Sequence, residues 1–268
     1  MSSKTKGKMP VVETALLGHG LPSVKDNLIA ALWPPEPAVK LAWLEEGEVR
    51  LGNIKDFLAR RKNNGWARVS SKNLDQAMAD GKSAFLTASA IARAFGTRTL
   101  VVTAGMGGIR GDTVSDDLMQ LCEGHVMLAT APKDSQDLHA TIDFLRKHDV
   151  VVLGRREAVC SGFLFKEPEV KINGVWPGRL EITGQAHRLL LLNSIPSEQR
   201  LNDRNILLAA EAQGEAALQG GKDFHPAVNT DLDRHTAALS SEMQLNALVY
   251  NIKEALTIKP LFDGKSNN

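Results

Sequence analysis

Four places along the 268-residue chain combine residue types that can do chemistry. Glu13 interrupts the apolar run Val11-Val12-Glu13-Thr14-Ala15-Leu16-Leu17, which continues into Gly18-His19-Gly20-Leu21-Pro22. An acid in such a run either faces the surface or is buried for a purpose, because a buried carboxylate without a partner is costly. Desolvation would raise its pKa and a cation or metal would lower it, and both outcomes serve acid–base work. His19, between two glycines, reads as a turn histidine. The segment Thr103-Ala104-Gly105-Met106-Gly107-Gly108-Ile109-Arg110-Gly111 lets backbone amides come close to a neighbour ahead of a helix expected to begin near Thr113. Two readings stand side by side, a structural tight turn and an anion- or sugar-binding loop. The spacing fits neither the dinucleotide fingerprint nor a P-loop. Ser115-Asp116-Asp117 falls in the first turn of that helix, where carboxylates cap; a carboxylate there can also hold Mg²⁺ or Mn²⁺, which take oxygen ligands. Lys133 follows the apolar stretch Val126 to Thr130 and precedes a helix capped by Asp134 or Ser135. In a desolvated, cation-rich pocket a lysine amine loses its proton and can attack a sugar carbonyl to give an imine, although most loop lysines are simply solvated.

Short apolar runs must position these groups: Val11 to Leu17, Leu41 to Leu44, Val49 to Leu51, Leu100 to Thr103, Val126 to Ala129, Val150 to Leu153 and Leu189 to Leu192. Their continuity predicts strands buried on both faces. Helices are expected between them, from about Ser135 to His148, where Leu138, Ile142 and Leu145 share a face, and from about Leu74 to Phe95. Alternation of this kind predicts an α/β sandwich with helices on both faces of a mixed, mostly parallel sheet, and a site at the carboxyl ends of its strands. Two segments break the rhythm. Cys160 to Gly184, rich in Gly and Pro, reads as an irregular excursion or small antiparallel flap, and Gln213 to Thr230 as a glycine-containing loop before a last helix ending near Thr257.

Composition narrows the classes. With 32 Lys+Arg against 31 Asp+Glu, the formal charge of +1 provides no global field toward nucleic acid or an anionic membrane, so an anionic ligand needs a local site. Cys122 and Cys160 are read as small hydrophobes, outside any disulfide or zinc pattern. No apolar run approaches the roughly 20 residues of a spanning helix, and the Lys- and Ser-rich start lacks an apolar signal core. The expectation is a cytoplasmic protein with a tail over 1–10, one domain over 11–258 and a second tail over 259–268.

Placed in order, these motifs resemble the pseudouridine-5′-phosphate glycosidase family, also called indigoidine synthase A-like, over roughly Val11 to Leu256. Its Glu-Ser-Thr-x-x-x-His-Gly-x-Pro matches Glu13 to Pro22, and its Lys-Val-Ser-Arg-Arg-Asp-Leu matches Arg68-Val69-Ser70-Ser71-Lys72-Asn73-Leu74. Its glycine loop resembles Thr103 to Gly111, its Ser-x-Asp-Leu resembles Ser115 to Leu118, its Gly-Ala-Lys-Ser falls on Ala131 to Asp134, and its Asn-Pro-Ile-Pro on Asn193 to Pro196. The resemblance implies a three-layer α/β/α homotrimer that reversibly cleaves the C–C glycosidic bond of pseudouridine 5′-phosphate, giving uracil and ribose 5-phosphate. Lys133 would form the imine with C1′ of the opened ribose, Glu13 would be the general acid–base, and Asp117 would hold Mn²⁺ through waters. Thr103, Gly105, Gly107, Gly108, Ser83, Ser115 and Asn193 would line the substrate.

The chain also departs from the pattern. Arg68, always cationic and unable to shuttle protons near neutrality, stands for a second family lysine. The loop histidine is missing, since Ile109 runs straight into Arg110; Ser83-Ala84 resembles a phosphate-region Thr-Thr pair, and Ser240-Ser241-Glu242 resembles a late Lys-Ser-Asn motif in which Glu242 would replace a neutral amide. The alternative to the lyase is therefore a silent or substrate-shifted sugar-phosphate-binding homologue with a regulatory or scaffold role. An unrelated nucleotide-binding protein is a third reading, opposed by the lack of a complete phosphate motif.

Overall fold

The computed structural model describes residues 10–35, 39–63, 65–97, 99–176 and 188–258. The expected tails, residues 1–9 and 259–268, and Pro177, Gly178 and Gly184 of the excursion lie outside them.

In chain order, β1 (Val11–Val12) leads to α1 (Ala15–His19) and α2 (Asp26–Leu32), the hairpin of β2 (Lys40–Glu45) and β3 (Glu48–Gly52), and α3 (Ile54–Leu58). Then come β4 (Ala67–Val69), α4 (Leu74–Ala79), β5 (Ala84–Leu86), α5 (Ala88–Phe95) and β6 (Leu100–Val102). The glycine segment holds β7 (Gly105–Met106) and β8 (Ile109–Arg110), followed by β9 (Thr113–Val114), α6 (Asp116–Cys122), β10 (Val126–Ala129), β11 (Ala131–Pro132), α7 (Leu138–Lys147) and β12 (Val151–Gly154). Last are β13 (Val159–Cys160), β14 (Val170–Lys171), β15 (Gly174–Val175), β16 (Leu189–Leu192), α8 (Arg204–Gln219), α9 (Phe224–His235) and α10 (Leu239–Ile258).

One sheet carries the order β15-β12-β16-β10-β6-β1-β2-β5-β4, with β3 hairpinned onto β2. From β15 to β2 every pairing is parallel, while β5 and β3 run antiparallel to β2. The sheet is thus mixed and mostly parallel, as the apolar runs predict: β6, β10 and β16 are buried at every residue. Truncating the fully buried Leu128, Leu190 or Leu191 to alanine would cost ~2–5 kcal/mol each. The helices fall into two packed sets. α5, α6 and α7 pack in succession, with α5 on β6 and α7 on β12; α10 lies on β6 and β10 and carries α9 and α2, with α8 on α9 and α3 on α2. Two helical layers around one sheet make the expected three-layer α/β/α sandwich.

Several boundaries differ from the sequence reading. Only Val11 and Val12 of Val11–Leu17 form strand; the Thr14 hydroxyl donates to the Ala42 carbonyl at 2.7 Å and accepts the Leu86 amide at 2.9 Å, and Ala15-Leu16-Leu17 turn into a buried helix. The helix expected over Leu74–Phe95 is two helices flanking β5, parted at Gly81, whose φ of +64° a helix cannot continue through. The helix expected from Thr113 starts at Asp116, since Thr113 and Val114 pair with β8. Its successor over Ser135–His148 starts at Leu138, capped by Asp137, which accepts the Ala140 amide at 2.8 Å, because Asp134 is turned inward. Of Gln213–Thr230 only residues 220–223 form a loop; the rest is the end of α8 and start of α9, and Gly214 lies within α8, where a Cβ would come 2.6 Å from the Phe224 ring. The flap exists as the β13–β14 pair, and β15 joins the main sheet beside β12. Cys160 is buried and Cys122 half-buried.

Candidate active site

Three adjacent parallel strands, β1, β6 and β10, deliver the central residues from their carboxyl ends, and strand order reverses between β1 and β6, the switch point where such sheets hold ligands. Glu13 follows β1, is buried, and donates its amide to the Val102 carbonyl at 3.1 Å. Thr103 follows β6 and donates its hydroxyl to Glu13 Oε1. Asn251 of α10 clamps this strand end, donating from Nδ2 to the Thr103 carbonyl at 2.7 Å and to Thr130 Oγ1 at 3.1 Å. Lys133 is reached through β11, which runs parallel to β7, and its amide donates to the Met106 carbonyl at 3.0 Å. Gly105 makes room for it: a Cβ there would lie 3.0 Å from Lys133 Cγ and 2.8 Å from the Phe163 ring. Arg68, on β4, reaches the same cavity, which Glu13, Gly105, Lys133, His225 and Gln244 also line. Its free space of about 20 Å³ suits a single water, and it shares His19 and Pro226 with a wider cleft of about 770 Å³ beside α8 and α9.

The two central titratable groups are pushed toward each other's proton. Burial lowers the Lys133 amine to about 8, and the Arg68 cation adds to this against the pull of Glu13 and Asp117. Burial raises the Glu13 carboxyl, opposed by Lys133, the Thr103 hydrogen bond and Arg68, and reinforced by Asp117. An amine that gives up its proton readily beside an acid that keeps its own is the arrangement acid–base chemistry requires. Burial, and then Lys133, Arg68 and Arg110, hold the His225 imidazole well below the usual histidine range, so it is neutral. His19 packs edge-on against Phe85, ring centroids 5.0 Å apart, and burial lowers its pKa as well.

Asp117 lies in α6, yet Ser115 caps that helix by accepting the Leu118 amide at 3.4 Å. The Asp117 carboxylate instead ties two segments together, accepting the Ser89 amide at 2.9 Å on Oδ1 and the Gly107 amide at 2.8 Å on Oδ2. Among the described residues no group of three His, Cys, Asp or Glu side chains is placed to hold a metal. Asp117 alone therefore fits only an ion that keeps most of its waters, held on the lone pairs the two amides leave free.

The other expected substrate residues are dispersed. The glycine-loop amides serve the protein: besides Gly107, the Gly108 amide donates to Gln136 Oε1 at 3.3 Å and the Ile109 amide to Thr141 Oγ1 at 2.9 Å, so only Gly105 of that loop faces the cavity. Ser115 is engaged in capping. Ser83 stands before β5 against the β2–β3 turn, where its hydroxyl accepts the Glu46 amide at 3.0 Å, and Ala84 is sealed in the core. Asn193 ends β16 and lines a separate groove with Arg156, Ser194 and Tyr250. Glu242 is exposed; the buried amide that α10 brings to the Lys133 cavity belongs to Gln244, two residues on and therefore on the opposite face of the helix.

Asp134, next to Lys133, carries a role the sequence reading assigns only as a cap. Its Oδ1 accepts the Phe163 and Phe165 amides at 3.2 and 3.0 Å, and its Oδ2 the Leu164 amide at 3.0 Å. Burial raises its carboxyl to about 6 against the lowering effect of those three amides. The flap is thereby stapled to the lysine's own backbone, with the Phe163 ring set against Gly105. An acid directly following the candidate lysine, with two phenylalanines in a Gly-containing excursion, is the only sequence signal for this.

A lysine amine, a proton-holding carboxyl and a nearby guanidinium at the switch point of a parallel sheet define an α/β site suited to lysine–carbonyl chemistry. Residues 3–259 match the family described as Indigoidine synthase A like protein, and the chain belongs to that family. It is 26% identical over 265 residues to a pseudouridine-5′-phosphate glycosidase of Thermotoga neapolitana, covering 91% of this chain and 92% of that one. It is 27% identical over 252 residues to a protein of the same name from Thermus thermophilus, covering 86% and 87%. Among solved structures, an indigoidine synthase A-like protein from Thermotoga maritima aligns with a TM-score of 0.73 at 20% identity, covering 97% of this chain and 94% of that one. The prealnumycin C-glycosynthase AlnA, in complex with ribulose 5-phosphate, aligns with 0.72 at 18% identity and the same coverage. These two likenesses show the fold. Among the described residues no helix is long and apolar enough to cross a membrane.

Proposed function

We propose that the protein is a lyase of the glycosidase kind that cleaves, reversibly, the C–C glycosidic bond of pseudouridine 5′-phosphate or a related C-nucleotide. One observation carries this reading: Lys133, with an amine lowered to about 8, shares a small cavity with Glu13, whose carboxyl is raised. The names of the curated relatives supply the substrate class. Carbon leaves poorly, so the C1′–C5 bond needs an electron sink. Lys133 Nζ adds to C1′ as the C1′–O4′ bond breaks and opens the ribose ring, with Glu13 passing a proton to O4′. Its lone pair forms the C=N bond as the C1′–C5 pair goes to C5, which takes a proton to give uracil. Water then releases ribose 5-phosphate and restores the amine. Arg68 holds positive charge beside the amine and a site for substrate oxygens. A divalent cation, Mn²⁺ in the resemblance, would supply charge neutralisation near Asp117, and a cytoplasmic homotrimer belongs to the same reading.

A second reading, a silent or substrate-shifted sugar-phosphate binder, is favoured by Arg68, always cationic, standing in this cavity where the family places a second lysine. Borohydride with ribose 5-phosphate separates the two. The lyase reading expects a ribitol-phosphate adduct on the Lys133 peptide by mass spectrometry, absent in Lys133→Ala together with uracil release from pseudouridine 5′-phosphate. Binding of ribose 5-phosphate with no adduct, metal present, would sink the lyase reading in favour of the binder.

A further inference from the structure

Helix α9 begins inside the candidate active site. Its first residue, Phe224, is buried, and its second, His225, lines the cavity with Lys133, Glu13, Arg68, Asn229 and Gln244. Among the described residues neither imidazole nitrogen has a hydrogen-bond partner, and only charges and burial act on the ring. The ring is half-buried, and a polar group without a protein partner at the edge of a cavity is open to a ligand.

The ring is held in place from behind. It meets Phe224 edge-on with centroids 5.3 Å apart, the Arg110 guanidinium lies 3.8 Å over the Phe224 ring, and Arg110 is bonded to Glu215 of α8 at 2.6 Å. Gly214 lets Phe224 close onto α8. Arg110 thus latches the α8–α9 pair onto the glycine segment and fixes where His225 points.

A neutral imidazole offers one N–H and one lone pair. That pairing matches a hydroxyl, which both gives and takes a hydrogen bond; a phosphate offers acceptors alone and is better served by Arg68. Of the cations acting on the ring, Lys133 acts most strongly, which sets His225 beside the amine that meets the sugar carbonyl. The hydroxyl on the neighbouring carbon is the group within reach.

We infer that His225 is a substrate-binding and specificity-determining residue that hydrogen-bonds the 2-hydroxyl of the sugar phosphate held at Lys133. It rests on the proposed function for the sugar phosphate but not for the imine. Calorimetric binding of ribose 5-phosphate and 2-deoxyribose 5-phosphate to the full chain, wild type and variants, tests it. Wild type should prefer the ribose compound by about tenfold, the worth of one neutral hydrogen bond. His225→Ala and His225→Phe, the latter retaining ring volume if the former fails to fold, should bind both compounds equally, at the deoxy level. His225→Gln, which keeps a donor and an acceptor, should recover part of the preference. A wild type without preference, or a preference unchanged in His225→Phe, overturns the assignment. A preference that vanishes in His225→Phe while no borohydride adduct ever forms upholds the assignment and sinks the imine instead.

Discussion

Arg68→Gln separates the two causes that free the Lys133 amine. At pH 7 an amine titrating at about 8 is unprotonated roughly one time in ten, against about one in 2,500 for an ordinary lysine, so its surroundings raise the reactive fraction some 200-fold or more. Burial is the larger cause and Arg68 the second. Removing the guanidinium takes away a like charge, so the Lys133 pKa must rise and the free amine at pH 7 must fall. A rise of about half to one unit, on the order of 1 kcal/mol, slows imine formation about three- to tenfold at pH 7. Above pH 10 the amine is free in both proteins and the rates should converge. The assay is single-turnover borohydride trapping of ribose 5-phosphate from pH 6 to 10.5. A variant with the wild-type midpoint, or one slowed by the same factor at every pH, would refute activation by charge and leave Arg68 as a substrate-orienting group.

Asp134→Asn removes a carboxyl raised to about 6 by burial. Because this acid binds its proton more tightly folded than unfolded, its contribution to stability falls as pH rises from about 4 to 6 and is flat above. Urea unfolding should show the wild-type-minus-variant difference shrinking by on the order of 3 kcal/mol between pH 4 and 7; parallel curves would contradict the buried-acid account. Uracil release by the wild type should fall at least tenfold in EDTA and return with Mn²⁺, while full activity in EDTA removes the metal. Asp117→Asn is the poorer test, since its NH₂ would face an amide donor from Ser89 or Gly107 and disturb the loop as well. With the loop histidine missing and Ala84 in place of a threonine, kcat/KM for pseudouridine and its 5′-phosphate should lie within about tenfold; a preference of several thousandfold would show that other groups bind the phosphate.

The sheet was legible because its inner strands are buried on both faces and must be continuous apolar runs, as in Leu189–Leu192 and Val126–Ala129. Lys133 and Glu13 were legible for the same reason, being the first chemically active residues past such runs. Short elements were not: Ala15-Leu16-Leu17 is equally apolar as strand or helix, and β5 has three residues, too few to show a period. Gly214 and Gly220-Gly221 suggested a loop, but Gly214 is a contact residue between helices, which only the packing of Phe224 reveals. His225 and Gln244 enter the site from segments more than 90 residues beyond Lys133, and no local pattern announces a side chain whose task is set by so distant a neighbour.

Thr103 has a single hydroxyl hydrogen and two acceptors, Glu13 Oε1 and, at 3.2 Å, the Gly105 carbonyl. While Glu13 is ionised the hydrogen belongs to the carboxylate, the stronger acceptor. Once Glu13 takes a proton, its own O–H can donate to Oγ1, and the hydroxyl is free to rotate to Gly105. The Asn251 clamp on the Thr103 carbonyl holds the backbone of that residue while the hydroxyl hydrogen turns. Gly105 begins the strand that pairs with β11 and brushes the Lys133 side chain. Thr103 is therefore a rotor beside the acid: a proton arriving at Glu13 lets the hydroxyl dipole swing from the carboxyl to the Gly105 carbonyl, at the residue packed against the Lys133 side chain.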